Sequence, residues 1–160
     1  MGRLILSVNT TTLDVGYTKD MAEYRITATS LGTSMLEQSS ALAFDERTVD
    51  SVASVITSLT VAGSLGTDAG ESSVDLYDDI DDYNNYVKYD TLTNSAIYKT
   101  RVRVSYVTIS GTTVASTTTR TFSKEIDVEL TSDYLIDYSV TPTRADTLHF
   151  KQIFSYWYFR

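Results

Sequence analysis

The chain has 160 residues, a formal net charge of −8, no cysteine, one histidine and one proline. That acidic balance argues against duplex nucleic acid or an anionic membrane surface as a main partner, because either needs a clustered basic face. A chain of this length can bury a core without disulfides or a structural metal, so one compact domain is expected, and cysteine usage says nothing firm about compartment. The longest apolar run near the start, Leu4-Ile5-Leu6-Ser7-Val8, ends at Asn9 and Thr10. It falls far short of the ~20 residues that span a bilayer, so no stable membrane insertion is expected. Nor does a charged region lead into a long apolar stretch and a small-residue cleavage site; an exported form would have such a segment removed or outside this chain.

The 25 Thr, 19 Ser and 12 Tyr suit a pleated, half-exposed surface and predict a body of mostly antiparallel sheet. In chain order, Met21, Tyr24, Ala28, Leu31, Met35 and Leu42 fall at spacings of three and four and predict a helix over 20–44. Asp20 with Glu23 matches a capping box at its start. Leu4, Ile5, Val8, Thr12 and Val15 extend a similar stripe upstream, although Gly16 and the β-branched run Thr10-Thr11-Thr12 weaken it. Val49, Val52, Ile56 and Leu59 repeat at helical spacing within 48–60, and a loop with Gly63, Gly66 and Gly70 follows. Eight acids against Lys88 place −7 of the charge between Asp68 and Asp90. Tyr77, Ile80, Tyr83, Tyr86 and Tyr89 interleave with them at threes, which predicts a loop pinned by aromatic anchors.

Beyond Thr93-Asn94 the period becomes two. Val102, Val104 and Tyr106 alternate with Arg101, Arg103 and Ser105 in a strand ending at Ser110-Gly111, and Thr112–Ser123 pairs back on it. Ile126, Val128 and Leu130 alternate with Asp127 and Glu129; 131–145 reads as a loop. A last strand over 147–158 carries Leu148, Phe150, Phe154, Tyr156 and Tyr158 on one face and His149, Lys151, Ile153 and Trp157 on the other. The fold class is therefore α+β, an N-terminal helix packed on an antiparallel meander sheet. Residues 1–47 form the helical segment and 48–160 the head of a single domain.

Catalytic chemistry is poorly supplied. His149 is the only histidine, and neither a Gly-flanked serine elbow nor Ser-x-x-Lys is present, so no enzyme and no catalytic residue is expected. Gly63, Gly66 and Gly70 are not followed by the lysine and helix of a phosphate-binding loop. Calcium is the metal that the composition suggests, with Asp75, Asp78, Asp79, Asp81 and Asp82 as its ligands and Asn84 and Asn85 beside them. The spacing is not that of an EF-hand, and the competing reading is a solvated acidic loop whose carboxylates cap turns.

Several blocks in order carry a resemblance: Ser34-Met35-Leu36-Glu37-Gln38, Ala43-Phe44-Asp45-Glu46, Ser64-Leu65-Gly66, Gly70-Glu71-Ser72, Tyr77-Asp78-Asp79-Ile80-Asp81-Asp82-Tyr83-Asn84-Asn85-Tyr86 and Ile153-Phe154-Ser155-Tyr156-Trp157. From Ala28 onward the chain resembles type IV pilin-like minor pilins of the mannose-sensitive haemagglutinin kind and related pseudopilins. The resemblance implies a pilin-like fold, export to the cell surface, and self-assembly into an extracellular filament with copies of itself and other pilins. Related pseudopilins hold calcium in a loop. Members of the family begin with a leader and a long apolar helix bearing an early acid; Met1–Thr12 shows neither, and Leu4, Ile5 and Val8 are the residues that would pack between subunits. Trp157 and Phe159 would be left on the outward face of the last strand, and are expected at an interface. Two other readings are a ligand-binding adhesin or filament-tip subunit and a phage tail or virion protein. The exposed hydroxyls, especially Thr112, Thr113 and Ser116 to Thr119, are candidates for O-linked sugar.

Overall fold

A computed structural model describes residues 2–92, 96–137, 139 and 141–159, with side chains described from Thr18 to Trp157. Helix α1 spans Gly2–Ser40, so it starts well before Asp20, and that residue lies in mid-helix rather than at a cap. Among the described residues no helix is long and apolar enough to cross a membrane. Among its described side chains, Ala28, Gly32, Met35 and Ser39 are buried, a stripe at fours and threes that faces the sheet. At its end the Ser39 and Ser40 hydroxyls donate to the carbonyls of Leu36 and Glu37, bonding back onto the last turn of their own helix. The helix stops there, four residues short of the expected Phe44, and Leu42 packs on the core from outside it.

Five antiparallel strands follow: β1 (Val87–Thr91), β2 (Ile97–Ser110), β3 (Thr113–Thr117), β4 (Ser123–Asp137) and β5 (Arg144–Ser155). Their order is β1-β2-β4-β5, with β3 folding back on the far end of β2. Gly111 makes that turn possible, since its φ of 59° is open to glycine at little cost. Tyr98, Thr100, Val102, Val104 and Tyr106 of β2 point into the core, and Ile126, Val128 and Leu130 of β4 do the same opposite them. The outer face carries cross-strand ion pairs, Arg103 with Glu129 at 3.1 Å and Lys151 with Glu125 at 3.1 Å. Exposed pairs of this kind contribute about 0–1 kcal/mol each.

Several expectations are corrected. The segment 48–60 is not a helix but two 3-10 turns, Glu46–Thr48 and Ile56–Ser58, joined by a stretch of bends and irregular chain. Val49, Val52 and Ile56 of its stripe are exposed and of the four Leu59 alone reaches the core, and β-branched residues favour the extended backbone. The supposed loop 131–145 is largely strand: β4 continues to Asp137, and its pairing with β5 shifts register between Thr131 and Ile136. The last strand ends at Ser155, and Tyr156–Phe159 forms a 3-10 turn. The end of the acidic stretch is also not loop, since β1 runs from Val87 to Thr91.

The helix sits close to the sheet at Gly32, where an added Cβ would run into the ring of Phe150. Gly32→Val should cost about 1–3 kcal/mol through overpacking, lowering Tm by roughly 2–4 °C per kcal/mol in a chain of this size. In thermal melts, Phe150→Ala in the same chain should recover part of that loss; strict additivity of the two would contradict the packing described.

Candidate functional site

The site is built where the sequence leaving α1 meets the acidic loop. Ala43 pairs with Asp79 in a short parallel bridge, Ala43 N donating to Asp78 O and Ile80 N to Ala43 O. This lays Phe44-Asp45 alongside Ile80-Asp81, both against the inner end of the sheet. Tyr77, Tyr83 and Tyr86 anchor the loop through edge-to-face contacts, with ring centroids 5.2 to 6.1 Å apart. The expected aromatic pinning is therefore present in these three.

Lys124 opens β4 on the inward phase of its alternation, opposite Tyr106, and is fully buried. Its ammonium donates to Phe44 O at 2.8 Å, to Asp45 Oδ2 at 2.8 Å, and to Asp81 Oδ1 and Oδ2 at 2.6 and 2.7 Å. All three of its protons are thereby used. The rings of Phe44 and Tyr106 flank it, their centroids 4.5 and 5.0 Å away, a cation–π arrangement strengthened by the burial of the ammonium. Asp45 is held from several sides: Oδ1 accepts from Arg47 N, Thr60 N and Thr60 Oγ1. Its Oδ2 also lies 3.0 Å from the Tyr106 hydroxyl, whose proton is shared with Thr60 O.

Asp79 and Asp82 cap the loop's own turns. Asp79 Oδ1 accepts from the amides of Asp81 and Asp82, and Asp82 Oδ2 from those of Asp78 and Asp79. Turn capping was one expectation for this loop; solvation was the other half of it, and these side chains are buried instead. Four buried carboxylates, Asp45, Asp79, Asp81 and Asp82, thus lie in a cluster with one buried ammonium, which pairs with Asp45 and Asp81. One positive charge cannot balance four negative ones in a dry interior, so the cluster retains protons. Burial, reinforced by the charges of Asp81 and Asp82, pushes Asp79 up to about 9. Burial likewise raises Asp81 and Asp82 to about 7 each, against the pull of Lys124 on the first and of backbone amides on the second. Asp45 goes the other way: burial raises it, but Lys124 and the backbone donors outweigh that and hold it below the usual range. Asp79 Oδ2 is buried with no hydrogen-bond partner among the described residues, a burden that a neutral carboxyl bears more cheaply than a carboxylate.

Of the five aspartates suggested for calcium, Asp75 is exposed in the turn Val74–Leu76, while Asp79, Asp81 and Asp82 turn inward as described. Asp78 belongs to a separate group with Glu46 and Glu71, whose oxygens lie within 4.8 Å of one another. These three are the residues that could hold a hard cation, which takes six to eight oxygens in all. His149 lies on the outer face of the sheet, its Nδ1 3.0 Å from Asp127 Oδ1. Trp157 is half-exposed and packs on Phe122 and Tyr156. The side chains of Leu4, Ile5, Val8 and Phe159 lie outside the described residues. Sequence reasoning missed Lys124 and Asp45; the available signal was that Lys124 continues the Ile126, Val128, Leu130 phase, which marks a lysine directed into the core.

Lys124→Met should destabilise the chain by about 3–5 kcal/mol in urea titration, because it strands buried carboxylates without their cation. Stability should also fall as pH rises. Asp79, Asp81 and Asp82 keep protons in the folded chain that the unfolded chain releases near pH 3.8. Their contribution is full below that value and is lost as pH climbs through their folded values toward about 9. Asp45, with its lowered value, opposes this only in stronger acid. Tm should therefore peak near about pH 4–5 and decline toward alkaline pH, and Asp79→Asn should flatten the decline by a few °C. A Tm that rises from pH 5 to pH 8 would contradict the burial of these acids.

Compared with protein-family models, curated proteins and solved structures, the chain matches none, so its functional reading rests on the sequence and geometry above.

Proposed function

We propose that the chain is a structural subunit of an extracellular, type IV pilus-like filament and acts by self-assembly. The observation that carries this reading is the disposition of α1. It is 39 residues long, and in its second half it is fastened to the sheet by Tyr24, which packs against Tyr134, and by Arg25, which pairs with Asp146. The preceding stretch, Gly2–Glu23, adds about 33 Å of helix at roughly 1.5 Å per residue. A helix of that length continuing from a small antiparallel head suits lateral packing between copies, with Leu4, Ile5 and Val8 as the contacts. Trp157, 55% exposed beside Phe122 and Tyr156, supplies a second contact on the head.

Electron microscopy of the purified chain tests this. Filaments of this chain alone are the expected result. Leu4→Glu with Ile5→Glu should abolish them while leaving the cooperative unfolding of the head unchanged. Trp157→Ala should weaken assembly by about 2 kcal/mol, as loss of an aromatic interface anchor does. Isolated monomers with ligand-dependent shifts would favour the adhesin or filament-tip reading instead, and tubes or rings would favour a phage tail or virion subunit.

A further inference from the structure

The geometry around Lys124 points to a covalent cross-link: we propose that Lys124 Nζ condenses with the side-chain carboxyl of Asp81 to form an intramolecular amide, with Asp45 shuttling the proton. Three observations carry it. Lys124 Nζ lies 2.6 and 2.7 Å from the two oxygens of Asp81. The carbon between those oxygens is then about 3 Å from the nitrogen, within the separation of roughly 3–3.5 Å or less at which held reactants combine. Both side chains are almost wholly buried, at 0% and 2% exposure, so little water competes with the amine as nucleophile or drives hydrolysis of the product. Asp45 Oδ2 stands 2.8 Å from the same nitrogen, and the Phe44 and Tyr106 rings close the remaining sides.

The step balances without any added reagent. One proton passes from the Lys124 ammonium to Asp81 along their short hydrogen bond, turning an ion pair into a neutral amine and a neutral carboxylic acid. A turn of the Asp81 carboxyl about its Cβ–Cγ bond presents the carbon's face, and the amine lone pair adds to it. The nitrogen's excess proton moves to Asp45 Oδ2 and then to the departing hydroxyl, which leaves as water. One N–C bond forms, one C–O bond breaks, and Asp45 is regenerated. No oxidation state changes.

Asp81 is the electrophile and Asp45 the shuttle because their surroundings differ. Asp45 is fixed as a carboxylate by Arg47 N, Thr60 N, Thr60 Oγ1 and the Tyr106 hydroxyl, and a carboxylate resists nucleophiles. The described hydrogen bonds to the Asp81 side chain come from Lys124 alone, and burial favours its neutral form. The bond would join residues 43 positions apart, tying the acidic loop to β4.

The test is the intact mass of the folded chain, followed by peptide mapping. The expected result is a mass one water below that of the sequence, with a cross-linked peptide pair joining Lys124 to Asp81. Chain kept unfolded from synthesis onward should hold its full mass, and Asp81→Ala should abolish the loss. Asp45→Asn should slow formation of the bond at least tenfold in chain that circular dichroism shows to be folded. Full mass in the folded wild-type chain, with Lys124 recovered as a free lysine, would overturn the proposal. So would a water loss that maps to any other pair, including Lys124 with Asp45.

Discussion

The buried side-chain nitrogen of Lys124 is the point at which three otherwise separate pieces of chain meet. It binds Phe44 and Asp45, just beyond α1, together with Asp81 in the acidic loop, and it belongs to β4. These partners lie 43 to 80 residues away along the chain. Little regular structure is available to hold the segment between Ala41 and Tyr86 in place: it contains five 3-10 turns of three residues each and one isolated bridge. Turn carbonyls satisfy many of its backbone donors and buried carboxylates satisfy others, Asp45 accepting from Arg47 and Thr60, and Asp79 and Asp82 from their neighbours. Removing a charge from such a site costs far more than replacing a whole ion pair with apolar groups, which makes the cluster a device for specificity as much as for stability.

The remainder of the architecture follows from this anchoring. With the irregular segment fastened to one end of the sheet, α1 crosses the core face on a narrow stripe of Ala28, Gly32 and Met35, and Phe150 fills the space that Gly32 leaves. The opposite face of the sheet is spanned by charge pairs between β2, β4 and β5. The protein thus presents a polar outer sheet face, an acidic patch at Glu46, Glu71 and Asp78, and a half-exposed indole at Trp157. In the proposed filament these would occupy different positions, the long helix inside and the charged sheet outside.

Elements with strong periodicity were readable from the residues alone. The alternation Val102, Val104, Tyr106 against Arg101, Arg103, Ser105 assigns both the strand and its buried face correctly. The helical stripe from Met21 to Met35 does so for the core-facing half of α1. Elsewhere local pattern and tertiary context part company. Val49, Val52 and Ile56 have helical spacing but no surface to bury against, and the backbone instead follows the hydrogen bonds that Asp45 and Tyr156 offer to Thr60 and Ala53. The aspartates of 78–82 read as a solvated run because four acids at short spacing normally repel and seek water. Asp79, Asp81 and Asp82 are nonetheless buried, beside a lysine some 40 residues later whose only mark in the sequence is its phase within a strand. Composition cannot reveal a charge balance struck between distant segments.

The central claim is that Lys124 makes the acidic loop and the sheet one cooperative unit, and native-state hydrogen exchange tests it most directly. The amides of Thr60, Asp81 and Asp82, which donate to the buried carboxylates, should exchange only through global unfolding, with the same free energy as the amides of Ile126 and Val128 in β4. Exchange of the loop amides through a separate, low-energy opening, while the β4 amides stay protected, would show that the buried cluster does not hold the two together.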